Sequence, residues 1–181
     1  CAFGAAADTT VGMTGAGTFQ MEQVYVNVPE LDVYFYALDG DGNPYSSIKV
    51  QAAGPELTLG DRRLEVRSVA VASDPICYIL ALDNSADLPA ADFYTMLGGV
   101  RKLINAMDAD DQLILYTTAG AAECVLPATS DKALMYKALG AVQQAEGRMD
   151  SAQLVSAVYT DIQSDFQALA PRKAAMIVTD A

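Results

Sequence analysis

Residues 76–89 read ICYILALDNSADLP, and this stretch decides the fold. It opens with the unbroken apolar run Ile76–Leu82, which is typical of a parallel strand covered on both faces. A helix is predicted over residues 89–107, where apolar side chains recur at spacings of three and four. Open α/β sheets bind ligands beyond the carboxyl ends of their strands. Asp83, which directly follows the strand, is therefore the first candidate site residue.

The alternation of strands and helices continues to the last residue. Further strands are predicted at Gln112–Thr117, 122–126 and 174–179. The strand at 122–126 is short and is predicted to pair with the strand before it. Further helices are predicted at 131–144, with Ser130 as N-cap, and at 151–169. Strands joined by helical crossovers run parallel, with right-handed connections. Residues 74–181 are therefore predicted to form a Rossmann-like α/β domain, a parallel central sheet with one short antiparallel strand.

The stretch before residue 74 shows the period of two that is typical of strands. The runs of alternating residues include 47–52, Glu56–Leu59 and 64–72. The turn DGDGNP at 39–44 resembles the opening of a calcium loop but lacks the distal glutamate, which favours a plain hairpin turn. These features predict a small β-rich domain over residues 22–73. The Gly-rich segment 1–21, which has no period, is predicted to be disordered.

The charge balance excludes several classes of function. The chain carries 11 Lys and Arg, 23 Asp and Glu and no His, a formal net charge of −12, so binding nucleic acid would work against its own field. Without His it cannot build a Ser-His-Asp relay or a His-ligated zinc centre. No apolar run approaches the roughly 20 residues that span a bilayer, so we expect membrane contact only through an anchor. Cys77 and Cys124 lie in apolar runs and are predicted to be buried rather than paired.

Asp83 and Asp180 each follow a long strand. If those strands are neighbours in the sheet, about 4.8 Å apart, the two carboxylates converge at one edge. Two carboxylates beside a serine hydroxyl suit a hard divalent cation, which prefers oxygen ligands.

The order of the predicted elements resembles that of the von Willebrand factor type A domain. The sequence ILALDNSAD at 79–87 resembles its first strand and D-x-S-x-S metal loop, and IVTDA at 177–181 resembles its fourth strand, which ends in T-D-G. The resemblance covers about residues 75–181, roughly the first two-thirds of such a domain, so the domain is expected to be incomplete at its C-terminal side. The strand-rich stretch before it resembles the β-domain that precedes this module in some bacterial surface proteins.

In that family the loop helps to hold Mg²⁺ or Mn²⁺ at a metal-ion-dependent adhesion site, and a carboxylate of the protein partner completes the coordination. The resemblance implies that Asp83, Ser85 and Asp180 are metal ligands. Asp87 replaces the second serine of the loop, and Ser151 offers the hydroxyl nearest to the place of the family's threonine. The implied site is therefore degenerate.

Asp87 leaves two alternatives open. As a third carboxylate it would hold the cation yet repel an acidic partner, because like charges at close range disfavour each other. Alternatively it caps the following helix, where a negative charge is favoured by about 0.3–1 kcal/mol. In that case the loop forms only a turn and binds no metal.

Together these features predict a non-enzymatic, extracytoplasmic protein-interaction or adhesion module. One alternative is a structural or assembly domain of an exported bacterial protein, without metal. A less favoured alternative is a phosphoryl-transfer enzyme with Asp83 as nucleophile. That alternative lacks the second acid, since Ser85 stands two residues on, and it lacks a lysine at a strand end.

The first residues offer two signals for location. The small residues 5–7 resemble the end of a signal peptide, and Cys1 is placed like the lipid-bearing first residue of a bacterial lipoprotein. Both predict a secreted or surface-anchored protein. An arbitrary start of the chain is the alternative.

Overall fold

The structure is a computed structural model that describes residues 9–12, 18–148, 150–165 and 168–179. The chain divides into two compact units, Cys1–Ser73 and Asp74–Ala181. Of the helices within the described ranges, none has the length and the apolar character that crossing a membrane requires. The strands are β1 (Thr9–Gly12), β2 (Thr18–Asn27), β3 (Glu30–Leu38), β4 (Glu56–Leu59), β5 (Arg62–Leu64), β6 (Ile76–Leu82), β7 (Gln112–Thr117), β8 (Glu123–Thr129) and β9 (Arg172–Val178), and the helices are α1 (Ser47–Ala53), α2 (Ala90–Ala106), α3 (Lys132–Ala141) and α4 (Ser151–Asp165).

The second unit is built on a four-stranded sheet of order β8-β7-β6-β9. Strand β6 pairs in parallel with both β7 and β9, and β8 pairs antiparallel with β7. The predicted α/β domain with a mostly parallel sheet is confirmed. The apolar runs of β6 and β7 explain the arrangement, because a parallel sheet must be covered on both faces.

Helices cover both faces of this sheet. On one face Leu80 and Leu115 pack with Ile104 of α2 and Met135 of α3, and all four side chains are buried. On the other face Ile79 and Ala81 of β6 pack with Leu154 of α4. Successive residues of β6 thus enter opposite cores, which is why the strand has no polar face.

Three predicted helix boundaries in this unit differ from the structure. The N-cap of α3 is Asp131 rather than Ser130, because the Asp131 carboxylate accepts hydrogen bonds from the backbone N–H groups of Ala133 and Leu134. A carboxylate satisfies these unpaired donors and also interacts favourably with the helix dipole. Helix α3 ends at Ala141, where the C-cap Val142 has an extended backbone, so the predicted end at residue 144 is wrong. Helix α4 ends at Asp165, so the predicted end at residue 169 is wrong.

The first unit contains two antiparallel sheets, of order β1-β4-β5 and β2-β3. Disorder over residues 1–21 is wrong for Thr9–Gly12, which pairs with β4, and for residues 18–21, which belong to β2. Pairing with strands that lie further along the chain supplies the order that the Gly-rich composition does not predict. The turn at 39–44 is confirmed as a chain reversal, since the Asp39 carboxylate accepts hydrogen bonds from the N–H groups of Asp41 and Asn43.

Two predicted strands of the first unit are wrong. Residues 47–52 lie in α1, because Ser46 caps it by accepting a hydrogen bond from the N–H of Lys49, and Gly54 ends it with a φ of +64°. The predicted strand at 64–72 is limited to its first residue, since β5 ends at Leu64.

Cys77 and Cys124 differ in burial. Cys77 of the central strand β6 is buried as predicted, whereas Cys124 is exposed because β8 is an edge strand of the sheet. Desolvation raises the pKa of the Cys77 thiol from 9.0 to about 11.

We expect the free energy of unfolding to fall as the pH rises from about 9 to about 11. The unfolded chain releases the Cys77 proton above pH 9.0, whereas the native protein keeps it until about pH 11. The contribution of this thiol to the free energy of unfolding is therefore complete below pH 9. Between pH 9 and pH 11 it is lost at a rate of about 1.4 kcal/mol per pH unit. Urea unfolding at several pH values should show a shallower fall for Cys77→Ala than for the wild type. Equal slopes would contradict the assignment.

Candidate metal and interaction site

Asp83 lies at the carboxyl edge of the sheet, between two parallel strands. Its backbone N–H donates to the carbonyl oxygen of Val178 at 2.9 Å, and the Thr179 hydroxyl donates to Asp83 Oδ2 at 3.1 Å. The prediction that the first and third long strands are neighbours is confirmed by the register of β6 with β9. Asp180 lies outside the described residues, so its approach to Asp83 stays a prediction.

Ser85 is the second predicted ligand that the structure places at this edge. Its backbone N–H donates to Asp83 Oδ1 at 3.0 Å, which turns the chain directly after the strand. Asp83 and Ser85 are 6% and 5% exposed, so both are nearly enclosed by protein. Within the described ranges, the Ser85 hydroxyl has no hydrogen-bond partner. This leaves its oxygen lone pairs available to a ligand.

Asn84, which the sequence analysis did not single out, joins three segments of the chain. The backbone N–H groups of Thr118 and Ala119 donate to Asn84 Oδ1 at 3.1 and 2.8 Å. Its amide group donates to the carbonyl oxygen of Gln143 at 2.9 Å. A side-chain amide carries both an acceptor and a donor, so it can pair with backbone N–H groups of one loop and with a backbone carbonyl of another. Its place between Asp83 and Ser85 is the only sequence signal for this role.

The segment that connects α3 with α4 holds the loop after β6 from the other side. Ala145 exchanges backbone hydrogen bonds with Asn84 and Ala86, each of 2.8 Å, in a short parallel bridge. The Gln144 side-chain amide donates to the carbonyl oxygen of Ser85 at 3.2 Å. These contacts add an anchor through the backbone atoms of the loop to the one that the Asn84 side chain provides.

The side chain of Asp87 is paired with a basic side chain of the same unit. Its carboxylate forms an ion pair with Arg148, with 3.0 Å between Oδ2 and Nε, and both side chains are exposed. The interpretation of Asp87 as a helix cap is wrong, because the N-cap of α2 is Pro89 and no side chain bonds there. Its role as a metal ligand stays a prediction.

Ser151 is the first residue of α4, and its side chain is not among those described. The neighbouring Asp150 carboxylate accepts hydrogen bonds from the backbone N–H groups of Ala152 and Gln153 at 3.0 and 3.1 Å. Asp150 thus serves as the cap of this helix. The sequence signal was present, since an aspartate directly before a helical period is a typical N-cap.

The oxygen atoms at this edge fit a hard divalent cation in kind. Asp83, Ser85 and Thr179 offer a carboxylate and two hydroxyls, the donor types that Mg²⁺ and Mn²⁺ accept in proteins. Among the described residues, no group of three or more acidic or cysteine side chains is arranged to hold a metal. A cation held by these three residues would therefore rely on one carboxylate and on water.

No protein-family model matches the sequence, and the comparison with curated proteins found no match. Several solved structures are similar, among them two bacterial proteins. The conserved hypothetical protein BatB from Bacteroides thetaiotaomicron is 22% identical over 58% of this chain and 53% of its own length, with a TM-score of 0.44. The three N-terminal domains of the type V pili tip protein Mfa5 from Porphyromonas gingivalis are 8% identical over 90% of this chain and 26% of that chain, with a TM-score of 0.50. The chain thus spans about half and about a quarter of these two proteins, and the second likeness shows the fold alone.

Proposed function

We propose that the second unit is a protein-interaction module of the von Willebrand factor type A kind, with a degenerate metal-ion-dependent adhesion site. The observation that carries this proposal is the hydrogen bond between Thr179 and Asp83, which brings the two segments of the family resemblance to one edge of the sheet. In this proposal the loop after β6 is the contact surface for a protein partner.

The metal site of the proposal is built on Asp83, Ser85 and Thr179. Asp180 and Ser151 are proposed to complete it. When bound, Mg²⁺ or Mn²⁺ would offer an open coordination position to an acidic group of the partner. The ion pair of Asp87 with Arg148 supports this step, because it offsets the third negative charge that would otherwise repel that group.

Calorimetric titration with Mg²⁺, Mn²⁺ and Ca²⁺ tests the site directly. We expect the wild type to bind Mg²⁺ or Mn²⁺ with a dissociation constant of roughly 1 mM, since a site with few carboxylates binds weakly. Asp83→Asn should abolish the heat, because the amide keeps the shape of the carboxylate but removes the charge.

Asp87→Asn is the matched control, since it removes one charge from the same loop at an exposed position. It should weaken metal binding only slightly, because this carboxylate is exposed and already paired with Arg148. Heat that persists in Asp83→Asn would contradict the placement of the site. Absence of heat in the wild type would contradict metal binding altogether.

A second candidate function is a structural or assembly domain without metal. It is favoured by the internal contacts of the loop, in which both carboxylate oxygens of Asp83 already accept hydrogen bonds and Asp87 is paired with Arg148. The fold likeness to the pilus tip protein is compatible with an assembled surface structure. Under this alternative, Asp83→Asn changes stability but not any metal-dependent property.

We further propose that the protein is extracytoplasmic, either secreted or anchored at the bacterial surface. The support comes from the fold likeness to a bacterial pilus tip protein. We propose a non-enzymatic role as well, since Ser85 stands where a phosphoryl-transfer enzyme needs its second acid.

A further inference from the structure

A groove of about 450 Å³ lies between α2 and the carboxyl end of α3, within the second unit. Leu97 and Val142, which are half-buried, contribute its apolar floor above the buried side chains of Phe93 and Leu139. Tyr94 and Arg101 line it as well, and both are exposed side chains of α2. The volume is within the range in which proteins bind compact ligands, about 300–1,000 Å³.

The charge of this groove is opposite to that of the chain. The chain carries 23 acidic and 11 basic residues, whereas the groove is lined by Arg101 and by no Asp or Glu. Among the residues that the structure describes, none forms a hydrogen bond or an ion pair with the Arg101 guanidinium. An apolar floor beside an unpaired guanidinium is complementary to a ligand that joins an apolar group to an anion.

We propose that this groove binds a peptide segment of a protein partner that carries an apolar side chain and, three residues further on, a carboxylate. Tyr94 and Arg101 are seven residues apart in α2, a rise of about 10.5 Å along the helix. Three residues of extended chain cover about 10 Å. The apolar side chain contacts the exposed ring of Tyr94 and the half-buried Leu97, and the carboxylate accepts hydrogen bonds from the guanidinium of Arg101. The residues that line this groove include none of the proposed metal ligands, so its binding does not depend on a metal at Asp83.

Two adjacent glycines of α2 provide a matched pair for the test. A Cβ atom at Gly98 or at Gly99 would meet no atom within 4 Å, so the helix accepts a side chain at either position. Gly98 lines the groove and Gly99 does not. Leucine at position 98 therefore fills the groove, whereas leucine at position 99 extends into solvent, and both raise the helix propensity equally.

The experiment is a titration of the full ¹⁵N-labelled chain, followed by backbone amide NMR. The probes are acetyl-Leu-Ala-Ala-Asp-amide and its Asn analogue, which differ only in charge. For the wild type we expect saturable shifts in α2 and α3 with a dissociation constant on the order of 1 mM for the Asp peptide, and binding of the Asn peptide weaker by about fivefold. Gly98→Leu should abolish these shifts, and Gly99→Leu should retain them.

Arg101→Gln and Lys102→Gln separate a local contact from the field of the whole protein, because they change the net charge equally. We expect about fivefold weaker binding of the Asp peptide by Arg101→Gln and no change by Lys102→Gln. The dispersed amide spectrum of each variant reports that it is folded. The proposal is overturned by the absence of saturable shifts up to about 10 mM peptide, by unchanged binding in Gly98→Leu, or by equal losses in Arg101→Gln and Lys102→Gln.

Discussion

Gly147→Ala is expected to lower the free energy of unfolding of the second unit by about 3 kcal/mol. Gly147 has a φ of +112°, and a Cβ atom there would lie 2.6 Å from the backbone nitrogen of Gly120 and 2.7 Å from its Cα. Both contacts are with main-chain atoms, which cannot rotate away as a side chain can. The backbone strain and the overlap therefore add, and the connection between α3 and α4 must move away from the loop after β7.

Gly120→Ala is the control, because it introduces the same methyl group on the other side of this contact. Gly120 has a φ of +79°, but a Cβ atom there would lie 3.7 Å from the carbonyl oxygen of Glu146, an ordinary contact. We expect a loss of about 1 kcal/mol, from the backbone conformation alone. Urea unfolding followed by the amide signals of β6 and β7 measures the second unit by itself. Equal losses in the two variants would show that the close approach at Gly147 is relieved without cost.

Asn84→Ala is expected to lower the free energy of unfolding by about 3 kcal/mol. Asn84 is 7% exposed, and alanine would leave the N–H groups of Thr118 and Ala119 and the carbonyl oxygen of Gln143 without their side-chain partner. Each buried polar group that loses its partner costs about 1–3 kcal/mol, and water that enters the gap recovers part of this sum.

Asn105→Ala removes an asparagine of the same unit from an exposed position, where its side chain accepts a hydrogen bond from the Tyr136 hydroxyl. We expect a loss of at most about 1 kcal/mol, because water replaces the lost partner. Urea unfolding of the two variants gives the comparison. A loss in Asn84→Ala no larger than in Asn105→Ala would mean that the three loops are held by their backbone contacts alone.

Several elements of the second unit were predictable because their signals are local. The apolar run of β6 and the period of α2 lie within single segments, and their burial on the two faces of the sheet follows from those patterns. The first unit was predicted less well. Residues 47–52 alternate like a strand, yet the cap at Ser46 and the glycine at 54 select a helix instead.

The amino-acid sequence by itself determined that Asp83 and Ser85 follow a buried parallel strand, and hence that they lie at the edge where such sheets bind ligands. Only the tertiary structure decided what surrounds them. Asp87 and Arg148 are 61 residues apart in the sequence, and Asn84 reaches Gln143 over 59 residues. Exposed ion pairs and amide contacts between loops leave no periodic pattern in the chain, since they depend on how helices and strands have already brought those loops together.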